Sequence, residues 1–190
     1  MNPELRLIAA PGPTYAALAR APSRIGPITA LRRPLLVAMI IGCSTAILAT
    51  RHATPSLVLS TTICWSVVVL IQIAIALAVI AAPARRTVGI PRALDLFFAA
   101  HAPWSLWMLA LIARSPTAGE RTLVPVLVAA LVPIVLTPRI LAAFFREVLE
   151  LDPREAIRCT IAHQAITWSV LIVMFGWAVA LIPRIVQWLK

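Results

Sequence analysis

Apolar runs separated by short basic clusters set the pattern of this chain. Apolar or weakly polar residues fill positions 34–50, 56–82, 93–113, 122–145 and 161–182, with Arg, His or Pro at or near the ends of each run. A helix rises about 1.5 Å per residue and a hydrocarbon core is about 30 Å thick, so even the shortest run approaches a crossing. The pattern predicts an all-α, polytopic integral membrane helix bundle of five transmembrane helices over residues 34–190. Residues 1–33 are too interrupted to span, with prolines at Pro3, Pro11, Pro13, Pro22 and Pro27. Between them, residues 14–20 are predicted to form two helical turns with Tyr15, Leu18 and Ala19 on one side. Such a segment either lies on the membrane surface or forms part of a plain tether.

Local signals refine these elements. Ala38, Gly42 and Ala46 recur every four residues in the first run, and Gly176 and Ala180 do so in the last. Each set is expected to let another helix, in this chain or a partner, approach closely. Thr54-Pro55 reads as an N-cap and first-turn proline, and Asp152-Pro153-Arg154-Glu155 as a cap with Pro at the first helical position and Glu at the third. Pro125, Pro133 and Pro138 are expected to bend the fourth run. Arg139 either ends that run near residue 137 or snorkels while residues 140–145 stay apolar. The stretch from Phe145 to Arg158 carries Arg146, Glu147, Glu150 and Arg154 at helical pair spacing and reads as a solvated loop helix.

Composition identifies the solvent. With 61% apolar and only 13% charged residues, and a mean hydropathy of +0.94, the chain lies far from the roughly 45–50% apolar and 25% charged residues of soluble domains. The net charge of +10 does not point to nucleic acid, because the 17 Lys and Arg lie in clusters between apolar runs and no nucleic-acid motif occurs. Expected partners are membrane lipids and other transmembrane helices, in a homo-oligomer or a larger membrane complex. If the five runs alternate sides, 12 basic residues fall with the N-terminus (in segments 1–33, 85–92 and 139–158) and 5 fall opposite (Arg51, Arg114, Arg121, Arg184 and Lys190). Basic loops stay inside, so the N-terminus is expected in the cytoplasm and the C-terminus outside. The Arg-rich, Ala-rich composition suggests a bacterial inner membrane. About 33 residues precede the first run, so no cleaved signal peptide is expected, and Arg32-Arg33 reads as a basic flank rather than a twin-arginine signal. Cys43, Cys64 and Cys159 form no CxxC pair, and no disulfide is expected.

His101 is the ionisable residue nearest the middle of a run, which makes it the first candidate for function. Phe97, Phe98 and Trp104 around it suit a cofactor pocket, with His101 as axial ligand of a haem or chlorin and Trp104 beside the ring. The simpler reading has His101 bonding a carbonyl freed by Pro103 or a neighbouring hydroxyl. Counted along straight helices, His163 lies a few residues into the fifth run and His101 about eight into the third. They then sit at different depths, which argues against a bis-histidine site, and His52 falls on the opposite side. Asp95 is expected at the boundary, paired with Arg92 one turn away. No HExxH, GxSxG or phosphate loop occurs, and no Ser, His and Asp share a depth. No catalytic residue, metal site or obligatory cofactor is therefore expected, and the unequal runs lack the matched halves of a transporter.

Pro11-Gly12-Pro13-Thr14-Tyr15-Ala16-Ala17-Leu18, followed by Pro27 to Leu31, Arg32, Arg33 and Pro34, resembles the Yip1 domain family. Its bacterial members carry a P-x-x-T/A-[FY]-x-x-L segment before a basic or proline-marked entry into five spans. The eukaryotic Asp-Leu-Tyr-Gly-Pro signature is missing, with Arg24-Ile25-Gly26-Pro27 the nearest remnant. The resemblance implies a small non-enzymatic membrane scaffold. Two functions are then in play: a scaffold acting through helix packing, and an accessory subunit of an energy-transducing or transport complex that contacts a pigment, haem or quinone. The charge bias makes one direct prediction, that a single cysteine placed at residue 87 is shielded from an impermeant thiol reagent in intact cells. Labelling there would reverse the orientation.

Overall fold

The computed structural model describes residues 3–21, 25–50, 52–114, 124–125 and 128–188, and among these every regular element is helical. Two short helices, α1 (Pro3–Ala9) and α2 (Pro11–Arg20), precede a single turn, α3 (Pro27–Ala30), and α4 (Arg32–Thr50). α5 (Pro55–Arg86) packs along α4 in the most extensive helix contact of the bundle. α6 (Ile90–Ala99) and α7 (Ala102–Arg114) follow as two halves bent by 46°. α8 (Leu131–Glu147) and α9 (Pro153–Trp188) complete the described chain.

Three stretches are long and apolar enough to cross a membrane: Pro27–Leu48, Pro55–Arg86 and Pro153–Met174. The α6–α7 pair makes a fourth if both halves count as one span. The expected run at 122–145 is not among them. Residues 122–123 and 126–127 lie outside the described residues, and the helix that is described, Leu131–Glu147, has 17 residues. It passes through Pro138 and Arg139 without ending.

The bundle is packed for lipid. Leu59, Ile63, Val67 and Leu70 form an exposed stripe at helical spacing on α5, while Ser44, Thr137, Thr160, His163 and Thr167 are buried. In water this inversion would be unstable. In hydrocarbon the large apolar side chains are at home outside, and small or hydroxyl residues let helices meet and bond inside. Ser44, Thr45 and Thr160 donate to the carbonyls four residues back, at 2.7, 2.9 and 2.8 Å. Thr61 donates both to Leu57 O and, across the seam to α4, to Gly42 O, each at 2.8 Å.

The expected helix starts are present. The Asp152 side chain accepts from the N–H groups of Arg154 and Glu155 at 2.8 and 3.1 Å. Thr54 stands at the N-cap of α5, but its hydroxyl does not cap the backbone and lies 3.5 Å from that of Ser56. The α5–α6 corner turns at Gly89, whose φ of 82° favours glycine. Phe145 to Arg158 is not a solvated loop helix. α8 ends at Glu147, Glu150 turns the chain with φ 55°, and Phe145, Val148 and Leu149 are buried.

The N-terminal segment is docked on the bundle rather than left as a plain tether. Leu7 and Tyr15 are fully buried; the Tyr15 hydroxyl donates to Leu96 O at 3.1 Å, and its ring meets Phe144 edge-on at 5.7 Å. Arg92 donates through Nη2 to Leu18 O at 2.6 Å and Ala21 O at 3.4 Å. The last carbonyls of a helix lack helical partners and attract a cation. That attraction draws Arg92 inward, away from the expected pairing with Asp95. Asp95 instead accepts from Arg33 Nε at 2.9 Å, which ties α4 to α6. These contacts gather the N-terminal helices, Arg33 and the start of α6 at one end of the bundle.

Ala38 and Ala46 are buried, and a Cβ on Gly42 would meet the Thr62 side chain and come within 2.6 Å of its backbone N and Cα. The small-residue stripe is therefore an internal seam. Gly176 differs, since an added Cβ there meets nothing within 4 Å among the described residues. The side chain of Ala180 lies outside the described residues. Gly42→Leu is expected to destabilise the protein by about 2 kcal/mol or more, because overpacking against a backbone cannot be relieved by a rotamer change. Parental thermal stability of that variant in detergent would show that α4 and α5 do not meet there.

Candidate functional site

Pro103 builds the site by breaking a helix. It has no N–H for Ala99 O, and its ring crowds that carbonyl, so the helix ends at Ala99. Across the break, Ala100 N–H bonds Phe97 O at 3.0 Å and His101 N–H bonds Phe98 O at 3.1 Å, a tighter three-residue spacing. The bend turns His101 into the bundle, where it is 6% exposed. Its ring lies 5.3 Å from Phe97, 5.5 Å from Phe98 and 6.3 Å from His163, which is 1% exposed.

Counting depth along straight helices set these two histidines apart, and the structure brings them together. The third span is bent, and α9 starts at Pro153, well before the apolar run, so His163 is already deep in the bundle. Phe97 holds the pair, with its ring 4.9 Å from His163 and 5.8 Å from Phe144.

The histidines open on a cavity of about 170 Å³ where five elements converge. α4 supplies Val37 and Ile41, α5 Gln72, α8 Thr137, and α7 and α9 most of the rest. Trp104, a candidate from the sequence, lines it with its ring 5.9 Å from Trp168 of α9. Trp168 Nε1 donates to Gln164 Oε1 at 3.2 Å, and Thr167 Oγ1 lies 3.5 Å from His163 Nε2. The lining contains no Asp, Glu, Lys or Arg. Among the described residues no group of three His, Cys, Asp or Glu could hold a metal ion.

Among the described residues, four buried side-chain atoms find no hydrogen-bond partner: Gln72 Oε1, His101 Nδ1, Thr137 Oγ1 and His163 Nδ1. All four residues line this one cavity. Leaving such an atom unbonded costs about 1–3 kcal/mol each, against a total stability of about 5–15 kcal/mol for a typical domain. Four of them in one place identify a polar site rather than a packing fault. The Phe97 carbonyl faces the His101 ring beside the break, while Nδ1 completes no hydrogen bond to it or to a neighbouring hydroxyl.

Gln72 and Thr137 were not among the sequence candidates, although Gln72 is the sole amide in the run 56–82. Comparison with protein-family models, curated proteins and solved structures finds no match, so the site is read from its own geometry.

Thr137→Val removes a hydroxyl that bonds nothing in the chain and keeps the side chain's shape. Its stability in detergent is expected to stay within about 1 kcal/mol of the parent. A loss above about 2 kcal/mol would show that this hydroxyl has a structural partner.

Proposed function

We propose that this chain is a membrane-embedded binding subunit that holds a small uncharged molecule at the centre of its bundle. The observation that carries this reading is the convergence of four unpartnered buried polar atoms on one cavity. Gln72 lies near the midpoint of α5, so the cavity sits at mid-membrane depth, where polar groups are retained for a purpose. A charged ligand would meet no counter-charge in the lining and would be costly to bury. A volume of about 170 Å³ is close to the roughly 150 Å³ cavity known to hold benzene, so it suits one ring and not a haem or chlorin macrocycle.

The reading belongs with the accessory-subunit function and extends the scaffold function. A scaffold that acts through packing alone has no use for this cavity. The open surface around Gly176, with Ile172, Val173 and Trp177 exposed on the same helix, does favour contact with lipid or another membrane helix. Five spans, a cytoplasmic N-terminus and a bacterial inner membrane are part of the same proposal and rest on the apolar runs and the charge bias.

Purification in native-membrane polymer discs, followed by extraction and mass spectrometry, is expected to release an uncharged small molecule. Ser105→Phe, which fills the cavity, should displace it. The same extracted molecules from both proteins would remove the basis for the proposal.

A further inference from the structure

We infer that the bound molecule is an amphiphile with a quinone-type head, its ring in the polar cavity and its apolar tail in a second cavity beside it. This rests on the binding reading above and names its ligand class. The second cavity, about 270 Å³, shares Val37 and Ser105 with the first and lies between α4 and α7. Apart from Arg33 and Ser105, its lining is apolar. Leu36, Leu106 and Leu109 on its wall are 54%, 44% and 45% exposed, so it opens to the lipid-facing surface. A polar chamber and an apolar chamber that share a wall match a molecule with a hydrogen-bonding head and a hydrocarbon tail, entering from the membrane.

The head is specified by what the polar chamber offers. It is neutral, it presents the indoles of Trp104 and Trp168 to a flat ring, and its orphan groups come from α5, the α6–α7 break, α8 and α9. A ring with oxygens at opposite ends reaches groups on different helices at once. A neutral imidazole donates or accepts according to its tautomer, a Thr hydroxyl does both, and the Gln72 amide presents an oxygen and an NH2. The Thr137 hydroxyl and the imidazole N–H groups can donate to the carbonyls of a quinone, while the orphan Gln72 oxygen, which only accepts, is met by a hydroxyl of the quinol. Alcohols and phenols with one oxygen carry their donor and acceptors at a single point and do not span orphans on opposite sides of a ring. A transition-metal ion is disfavoured because the two imidazoles have no third His, Cys, Asp or Glu beside them among the described residues.

The test titrates the detergent-purified full chain with two probes, decylubiquinone and the same dimethoxy-methyl-benzoquinone ring without a tail, and follows quenching of tryptophan fluorescence. Saturable quenching by the tailed probe is expected, with weaker binding of the bare ring. Thr137→Val, which keeps the fold, should weaken both by about tenfold. Ala102→Leu, which intrudes on the second cavity, should weaken the tailed probe alone. Equal affinity for both probes, unaffected by Ala102→Leu, overturns the placement of the tail. If neither probe saturates while extraction yields another small molecule that Ser105→Phe displaces, the ligand class is wrong and the binding function stands. If extraction yields nothing either, both fall. Copper(I) retained stoichiometrically through desalting, and lost in His163→Leu, overturns the inference in favour of an imidazole-bound ion.

Discussion

Pro103 cannot complete the hydrogen bond that would carry the third apolar run through as one straight helix, and the centre of the bundle is organised by that missing bond. The 46° bend leaves α6 packed mainly on α5, with lesser contacts to α3, α4 and α8, while α7 continues along α4 and α8. At the inner corner Phe97 touches His101, His163 and Phe144, and Phe144 in turn touches Tyr15. One aromatic cluster thus connects α2, α6, the α6–α7 break and the last two helices. With a straight third span, His101 would not be turned into this cluster. The cavity and its aromatic floor have the same origin.

In a lipid solvent the usual relation between burial and polarity reverses, and this changes what an unpartnered polar atom means. A hydroxyl that bonds back to its own helix, as those of Ser44 and Thr160 do, settles its cost locally and needs no further account. Thr137 does not bond in this way, and neither do the free ring nitrogens of the two histidines or the Gln72 oxygen. The bundle has the means to satisfy such atoms and uses it repeatedly elsewhere. Their convergence on one chamber is therefore informative about function in a way that any one of them alone would not be.

What the sequence made legible was what depends on neighbours along the chain. The apolar runs located three spans and the bent fourth, Asp152 marked the start of α9, and Ala38, Gly42 and Ala46 marked a close seam. His101 and Trp104 were named as a site, and both line the cavity. Several of the misjudged features depend on contacts between distant residues. Asp95 pairs with Arg33, 62 residues away, and Tyr15 bonds Leu96, 81 residues away. Neither follows from helical spacing, which can only suggest partners three or four residues apart. Depth counting failed at His163 for the same reason, since it treats each span as a straight rod.

The N-terminal segment shows why such contacts outweigh local preference. Its turns could lie on a membrane surface by their spacing alone, and Tyr15 suits an interface. Docking on the bundle end gives α2 partners that spacing alone does not reveal. Leu96 O accepts the Tyr15 hydroxyl, Phe144 packs against its ring, and Arg92 provides a cation where the α2 carbonyls need one. Arg92 in turn gains a low-exposure position that a boundary ion pair with Asp95 would not give it. With Arg92 engaged, Asp95 is left for Arg33, and the pair joins the start of α4 to α6. Arg33 also lines the cavity proposed for the ligand tail, so α6 carries two separate polar ties at this end of the bundle, one through Arg92 to the N-terminal cover and one through Asp95 to the wall of the lipid-facing opening.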